Sequence, residues 1–172
     1  MGFDGKVAVV TGAGLGIGRA TALLFAERGA KVAVLDFDER NGEETVRLIR
    51  DSGGEARFFK ADVSRAADVE RAMDEIEKAF GKIDILVNNA GIYRKGDLLD
   101  TSLDDWNRLL ATNLTGVFLC SKHCVERMAR HGGGVIVNVA SEAGLVGIKG
   151  QVAYNVSKGG VIALSRSAAV DL

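Results

Sequence analysis

Five apolar runs of strand length alternate with helical segments along this chain, and that alternation excludes most architectures. The runs are Lys6–Thr11, Lys31–Leu35, Ala56–Lys60, Ile83–Val87 and Val135–Val139. Between them the residue pattern predicts a helix ending near Arg28 and another over Glu39–Asp51. A third should run from a Ser64 cap to Phe80, a fourth from about Asp104 to Arg130 behind a Ser102 cap, and a fifth from about Ala153 onward. Gly29, Gly53–Gly54, Gly81 and Gly132–Gly134 stand where these helices should stop, as glycine does at helix ends. The runs read as continuously apolar, so both faces of each strand are expected to be buried. Parallel strands joined by right-handed helical crossovers satisfy that pattern, which predicts an α/β fold built on a doubly wound parallel sheet.

At 172 residues and 47% hydrophobic content, the chain reads as one domain, residues 1–172, with one core. A formal charge of −1 gives no reason to expect nucleic acid or an anionic membrane as a partner. No apolar run is long enough to span a bilayer, and the N-terminus carries no leader pattern. Cys120 and Cys124 lie four apart on an expected helix, which suits buried thiols in a reducing, cytoplasmic setting better than a disulfide framework. His123 lies beside them, but no fourth ligand is evident and no metal is expected. His131 reads as solvated.

Chemistry enters at the first strand-to-helix turn. The run Thr11-Gly12-Ala-Gly-Leu15-Gly16-Ile17-Gly18 follows the first apolar strand directly. Glycines at such a turn let backbone N–H groups approach a pyrophosphate, and the helix N-terminus adds partial positive charge. The spacing is Gly-x-x-x-Gly-x-Gly rather than the commoner Gly-x-Gly-x-x-Gly, and a lone glycine cluster is weak evidence. Asp36 strengthens it. It lies 18 residues past Gly18 at the end of the second strand, where a carboxylate can accept hydrogen bonds from a ribose and repel an added phosphate. Its bland alternative is a cap for the helix starting near Glu39. Asp38 reads as surface or cap.

Tyr154 and Lys158 are four apart and share one helix face, and Ser141 precedes Tyr154 by thirteen residues. Tyr-x-x-x-Lys alone is nearly worthless, because helices contain it by chance. Taken with the glycine loop, Asn88-Asn89-Ala90-Gly91, Asn113 and Ser141, it makes the chain resemble the short-chain dehydrogenase/reductase family across nearly its whole length.

The resemblance implies a Rossmann-like fold and a set of roles. Tyr154 would be the general acid/base. A free tyrosine titrates near 10, so it would need stabilisation as phenolate. Lys158 would supply part of that and hold the nicotinamide ribose. Ser141 would stabilise the substrate oxygen, and Asn113 would bind a water passing protons toward Lys158. Gly12, Leu15, Gly16, Ile17 and Gly18 would cradle the pyrophosphate. Asp62 and Val63 would meet the adenine, and Asn88, Asn89, Ala90 and Gly91 would line the cofactor beyond the fourth strand. Alone, Ser141 would read as a turn residue, Asn113 as a helix-interior polar group bonded to a neighbour, and Asn88-Asn89 as turn formers.

The cofactor expected is NAD, with NADP disfavoured, because Asp36 is acidic and neither Leu15 nor Phe37 is basic; Arg19 is the one side chain that could reach a phosphate. The substrate would be a small secondary alcohol or its ketone. Relatives pair two helices with their copies, so a homodimer or homotetramer through 104–130 and 153–171 is expected, with Gly159, Gly160, Ala163 and Ser167 permitting close approach. Family members usually run to roughly 250 residues, so the chain reads as incomplete at its C-terminal side, with strands one to five present. That leaves a second reading, a dinucleotide-binding or scaffold chain without turnover.

Overall fold

The computed structural model describes residues 2–172. Five strands, β1 (Val7–Thr11), β2 (Lys31–Asp36), β3 (Glu55–Lys60), β4 (Ile85–Asn88) and β5 (Val135–Asn138), form one sheet in the order β3-β2-β1-β4-β5. Every pairing is parallel. The chain winds outward from β1 to β3, returns to the other side of β1, and continues to β5. That reversal opens a crevice beyond the C-terminal ends of β1 and β4.

Helices α1 (Gly16–Glu27), α2 (Glu39–Asp51), α3 (Ala66–Phe80), α4 (Leu103–Leu110), α5 (Gly116–Arg130) and α6 (Val152–Asp171) complete the alternation. Two apolar clusters lie on the two faces of the sheet. One gathers Val9, Ala33, Leu35 and Leu86 with Ala72, Met73 and Ile76 of α3 and Cys120, Cys124 and Met128 of α5. The other gathers Ala8, Val10, Val32 and Val34 with Ala22 of α1 and Val46 and Ile49 of α2.

Burial on both faces holds for β1, β2 and β4 but not for the two edges. β3 alternates buried and exposed residues, and on β5 Val135 and Val137 are 58% and 48% exposed. Continuous apolarity thus marks full burial in β1, β2 and β4, while the equally apolar Val-Ile-Val run of β5 is exposed on one face.

Two local expectations are corrected. Ser64 does not cap α3: its backbone N–H and hydroxyl both bond the Asp62 carboxylate, and Arg65 stands at the N-cap without a side-chain bond. The long helix widens at Ala111–Thr115 into a π turn, with Gly116 N–H reaching back to the Ala111 carbonyl. A short 3-10 turn over Glu142–Gly144 also separates β5 from α6. Ser102 does cap α4, accepting from Asp105 N–H at 3.1 Å. His131 is exposed as expected, with its ring 3.4 Å from Glu77.

Candidate active site

The glycine loop is shaped by close approach. Gly12 and Gly16 have φ of 63° and 54°, values that glycine adopts at no steric cost. A Cβ on Gly12 would sit 2.8 Å from Ala90 Cα, whereas one on Gly16 would meet nothing within 4 Å. Gly18 stands behind the loop and does not line the cleft. A Cβ there would lie 2.1 Å from the Gly12 carbonyl oxygen, so Gly18 lets α1 pack onto the loop.

Thr11 joins the two strands at the crevice. Its hydroxyl accepts from Asn89 and Ala90 N–H at 3.0 Å each, and the Asn89 amide returns to the Thr11 and Gly12 carbonyls. Asn88 takes no part in the cleft. Its buried amide donates to Ser121 and Asn138, tying β4 to α5 and β5; it is the next residue, Asn89, that faces the loop.

Asp36 lines the cleft and also anchors the loop. One carboxylate oxygen accepts from Gly14 N–H at 2.7 Å and the other from Asp38 N–H at 3.0 Å. The cap of α2 is Asp38, which accepts from Asn41 N–H. Each carboxylate oxygen keeps a lone pair for a ribose hydroxyl. Arg19 is turned away, donating to Thr45 and to the Asn41 carbonyl.

These groups bound a cleft of about 640 Å³ lined by Gly12, Leu15, Gly16, Ile17, Asp36, Asp62, Val63, Asn89, Ala90 and Gly91 among others. Sequence reasoning missed Arg108, the one cation of the lining, together with Thr112 and Ile92. The start of α1 meets this cleft with no capping side chain and no acidic residue in its first turn. Bare N–H groups at a helix N-terminus suit a pyrophosphate, so the residues present fit a dinucleotide.

Beyond Ile92 the second half of the site begins. Asn113 is fully buried in the π turn. Its amide oxygen accepts from Ile92 N–H at 2.8 Å, and its nitrogen donates to the Ile92 carbonyl and to Ser157. Both amide hydrogens are engaged, which leaves a lone pair on Oδ1 as the side chain's remaining site for a water.

Lys158 is buried, with Nζ donating to the Val139 carbonyl at 2.6 Å and lying 5.8 Å from the centre of the Tyr154 ring. Burial pushes its ammonium group below the ordinary lysine value. Ser141 caps the 3-10 turn, accepting from Ala143 N–H at 3.2 Å and donating toward Glu142. Gly144 seats that turn on α6, because a Cβ there would fall 2.6 Å from the Lys158 carbonyl carbon. Tyr93 was also missed; its ring meets that of Tyr154 edge-on at 5.3 Å and 83°. Its place just past Asn88-Asn89-Ala90-Gly91 was the available signal. Cys120 and Cys124 are buried free thiols, and burial pushes the Cys120 thiol up to about 12. No cluster of three metal-ligating side chains occurs among the described residues.

The profile of the family described as short chain dehydrogenase matches residues 6–172. The chain belongs to that family. It is 52% identical over 171 residues to an uncharacterized oxidoreductase of Thermotoga maritima, covering 99% of this chain and 67% of the relative. It is 44% identical to the D-threitol dehydrogenase of Mycolicibacterium smegmatis, covering 98% of this chain and 65% of that enzyme. The solved structure of an NAD+-bound xylitol dehydrogenase superposes with a TM-score of 0.96 at 42% identity, covering 98% of this chain and 65% of that one. The chain thus spans about two thirds of the length of these relatives. No described helix is long and apolar enough to cross a membrane.

Proposed function

We propose that this short chain dehydrogenase chain carries the cofactor cleft and proton-transfer group of an NAD-dependent oxidoreductase that interconverts a secondary alcohol and a ketone. The observation that carries the reading is the continuity of the site. The cleft runs along the C-terminal ends of the strands to Ile92, and the next residue touches the ring of Tyr154. NAD, when bound, supplies the hydride acceptor. The α1 N-terminus and loop hold the pyrophosphate, and Asp36 takes the adenosine ribose. Tyr154 removes the alcohol proton or returns it to the ketone, Lys158 favours its phenolate by charge, and Ser141 steadies the substrate oxygen. Asn113 contributes through the position of Ile92 and through a water on its free lone pair.

NAD rather than NADP is supported by Asp36, by the absence of a basic residue at positions 15 and 37, and by the engagement of Arg19 with α2. D-threitol dehydrogenase and xylitol dehydrogenase among the relatives point to polyols as a first substrate panel. A cytoplasmic setting suits the two free thiols.

Assembly through α4–α5 and α6 remains part of the proposal with its surface revised. A Cβ on Gly160 would fall 2.7 Å from Leu114 of its own chain, so its smallness serves internal packing, whereas one on Gly159 would make only ordinary contact with Gly144. The exposed residues of α6 include Val156, Ala163, Ser167, Ala169 and Val170, with Arg166 and Asp171 as its exposed charges. Light scattering that shows only monomer at tens of micromolar, roughly where weak contacts register, would remove this part.

The test of function is calorimetric titration with NAD and NADP, followed by NADH absorbance with a panel of secondary alcohols. Tighter binding of NAD and turnover of one alcohol are expected. NADP binding more tightly would overturn the cofactor assignment. A second reading is dinucleotide binding without turnover; NAD binding with no turnover across the panel would select it.

A further inference from the structure

We propose that Tyr93 is a positioning residue that fixes the ring of Tyr154, an inference that rests on Tyr154 being the proton-transfer group. The segment after β4 is tethered at every second residue. Ile92 is held at both backbone atoms by Asn113, at 2.8 and 2.9 Å. Arg94 pairs with Asp105 at 2.9 Å. Gly96 forms a parallel bridge to Gln151, donating to the Gly150 carbonyl at 2.9 Å and accepting from Val152 N–H at 3.1 Å.

Tyr93 lies between the first two tethers, and its ring meets Tyr154 edge-on. Gln151 is the N-cap of α6, three residues before Tyr154, so the same segment braces both the helix start and the ring. Lys158 stands 5.8 Å from the ring centre. An edge-to-face neighbour favours one ring orientation through the opposite charges of ring edge and ring face. It thereby restricts where the phenol oxygen points. Asn113 acts on the same ring at one remove, because the residue it clamps is the one before Tyr93. Tyr93 is itself 56% exposed, so burial of its own ring explains little of its placement.

The chain contains two tyrosines, and they are this pair, so ring-labelled tyrosine gives two sets of NMR signals. The experiment compares the chain with Tyr93→Leu and Tyr93→Phe, without and with NAD. The Leu variant should shift and broaden the Tyr154 ring signals and lose the Tyr154–Lys158 nuclear Overhauser contact. Its melting temperature should fall by no more than about 5 °C. The Phe variant should restore both the signals and the contact. Unaltered Tyr154 signals and a retained lysine contact in the Leu variant overturn the proposal. So does a Phe variant that fails to restore them, or a Leu variant that unfolds while the Phe variant is as disordered. The readout is independent of turnover: a Tyr154→Phe variant with near-normal turnover defeats the proton-transfer reading, whereas these signals decide the positioning of the ring.

Discussion

The two halves of the site are built in opposite ways. The half proposed for the cofactor sits over β1, β2 and β4, strands buried on both faces, and its parts are bonded to one another: Asp36 to Gly14, Asn89 to Thr11 and Gly12, and Gly18 pressed against Gly12. The half proposed for proton transfer follows β5 and continues on α6. Its groups are held through loops and helices: Lys158 on Val139, Gly144 on α6, Asn113 on Ile92 and Ser157, and Tyr93 on Tyr154. The first half is fixed by bonds among backbone and side chains at the ends of paired strands, the second by side chains on a loop, a π turn and a helix.

The largest expected effect separates chemistry from binding. Tyr154→Phe keeps the ring and removes the proposed proton carrier, so turnover should fall about 10²–10⁴-fold while the NAD dissociation constant changes little. Near-normal turnover would break the comparison by leaving the second half without its reacting group.

Next comes a pair of glycines, one in each half. Gly18→Ala forces a Cβ to 2.1 Å from the Gly12 carbonyl, and overpacking of that kind costs about 1–3 kcal/mol. NAD affinity should fall roughly ten- to hundredfold, read by calorimetry. Gly144→Ala forces a Cβ against the α6 backbone and should lower turnover while NAD affinity stays within about threefold. If Gly144→Ala damages NAD binding as much as Gly18→Ala does, the halves are one unit.

Asp36→Ala should weaken NAD about tenfold, an effect in the range of lost charge-assisted hydrogen bonds. Because the carboxylate also anchors Gly14 and Asp38, affinity for NADP should rise less than removal of a repelling charge alone would give. Parallel titrations with both cofactors measure this, and a full switch to NADP would show that the anchoring is dispensable.

The smallest effect lies at the other end of β1. Burial raises the Asp84 carboxyl, but bonds from Val7 N–H, Lys82 and Lys6 outweigh it and hold the group below the ordinary carboxylate value. A lowered folded pKa means that this stabilisation is fully present above the unfolded value, near 3.9, and is lost as pH falls through the folded value. Asp84→Asn should therefore flatten the dependence of melting temperature on pH below about 5. An unchanged slope would assign the acid sensitivity to other carboxylates.

The sequence was most legible where local pattern and tertiary environment agree. The middle strands, the turn glycines and the residues of the cleft follow from apolar runs and from backbone that must approach a phosphate. Asp36 does end β2, but its hold on Gly14 was hidden, because a bond across 22 residues has no local signature. Ser64 looked like a cap and is not one, since Asp62 two residues earlier competes for the same hydroxyl. Gly160 looked like an interface residue because smallness does not say which helix approaches. Tyr93 has no periodicity to reveal it; its partner lies 61 positions away and the contact exists only once both loops are seated.

The π turn at Ala111–Thr115 acts as a phase adjustment in one long helix. Leu109, Asn113 and Val117 are spaced four apart and all are buried, whereas a regular helix advancing about 100° per residue would drift by some 40° at each such step. The wider turn absorbs that drift and lets one helix bury Leu109, bond Ile92 through Asn113 and seat Val117 in succession. Deleting a single residue there would restore a regular winding and rotate everything upstream by about 100°. Arg108 would swing out of the cleft and the Ile92 clamp would be lost, with the composition of the helix almost unchanged.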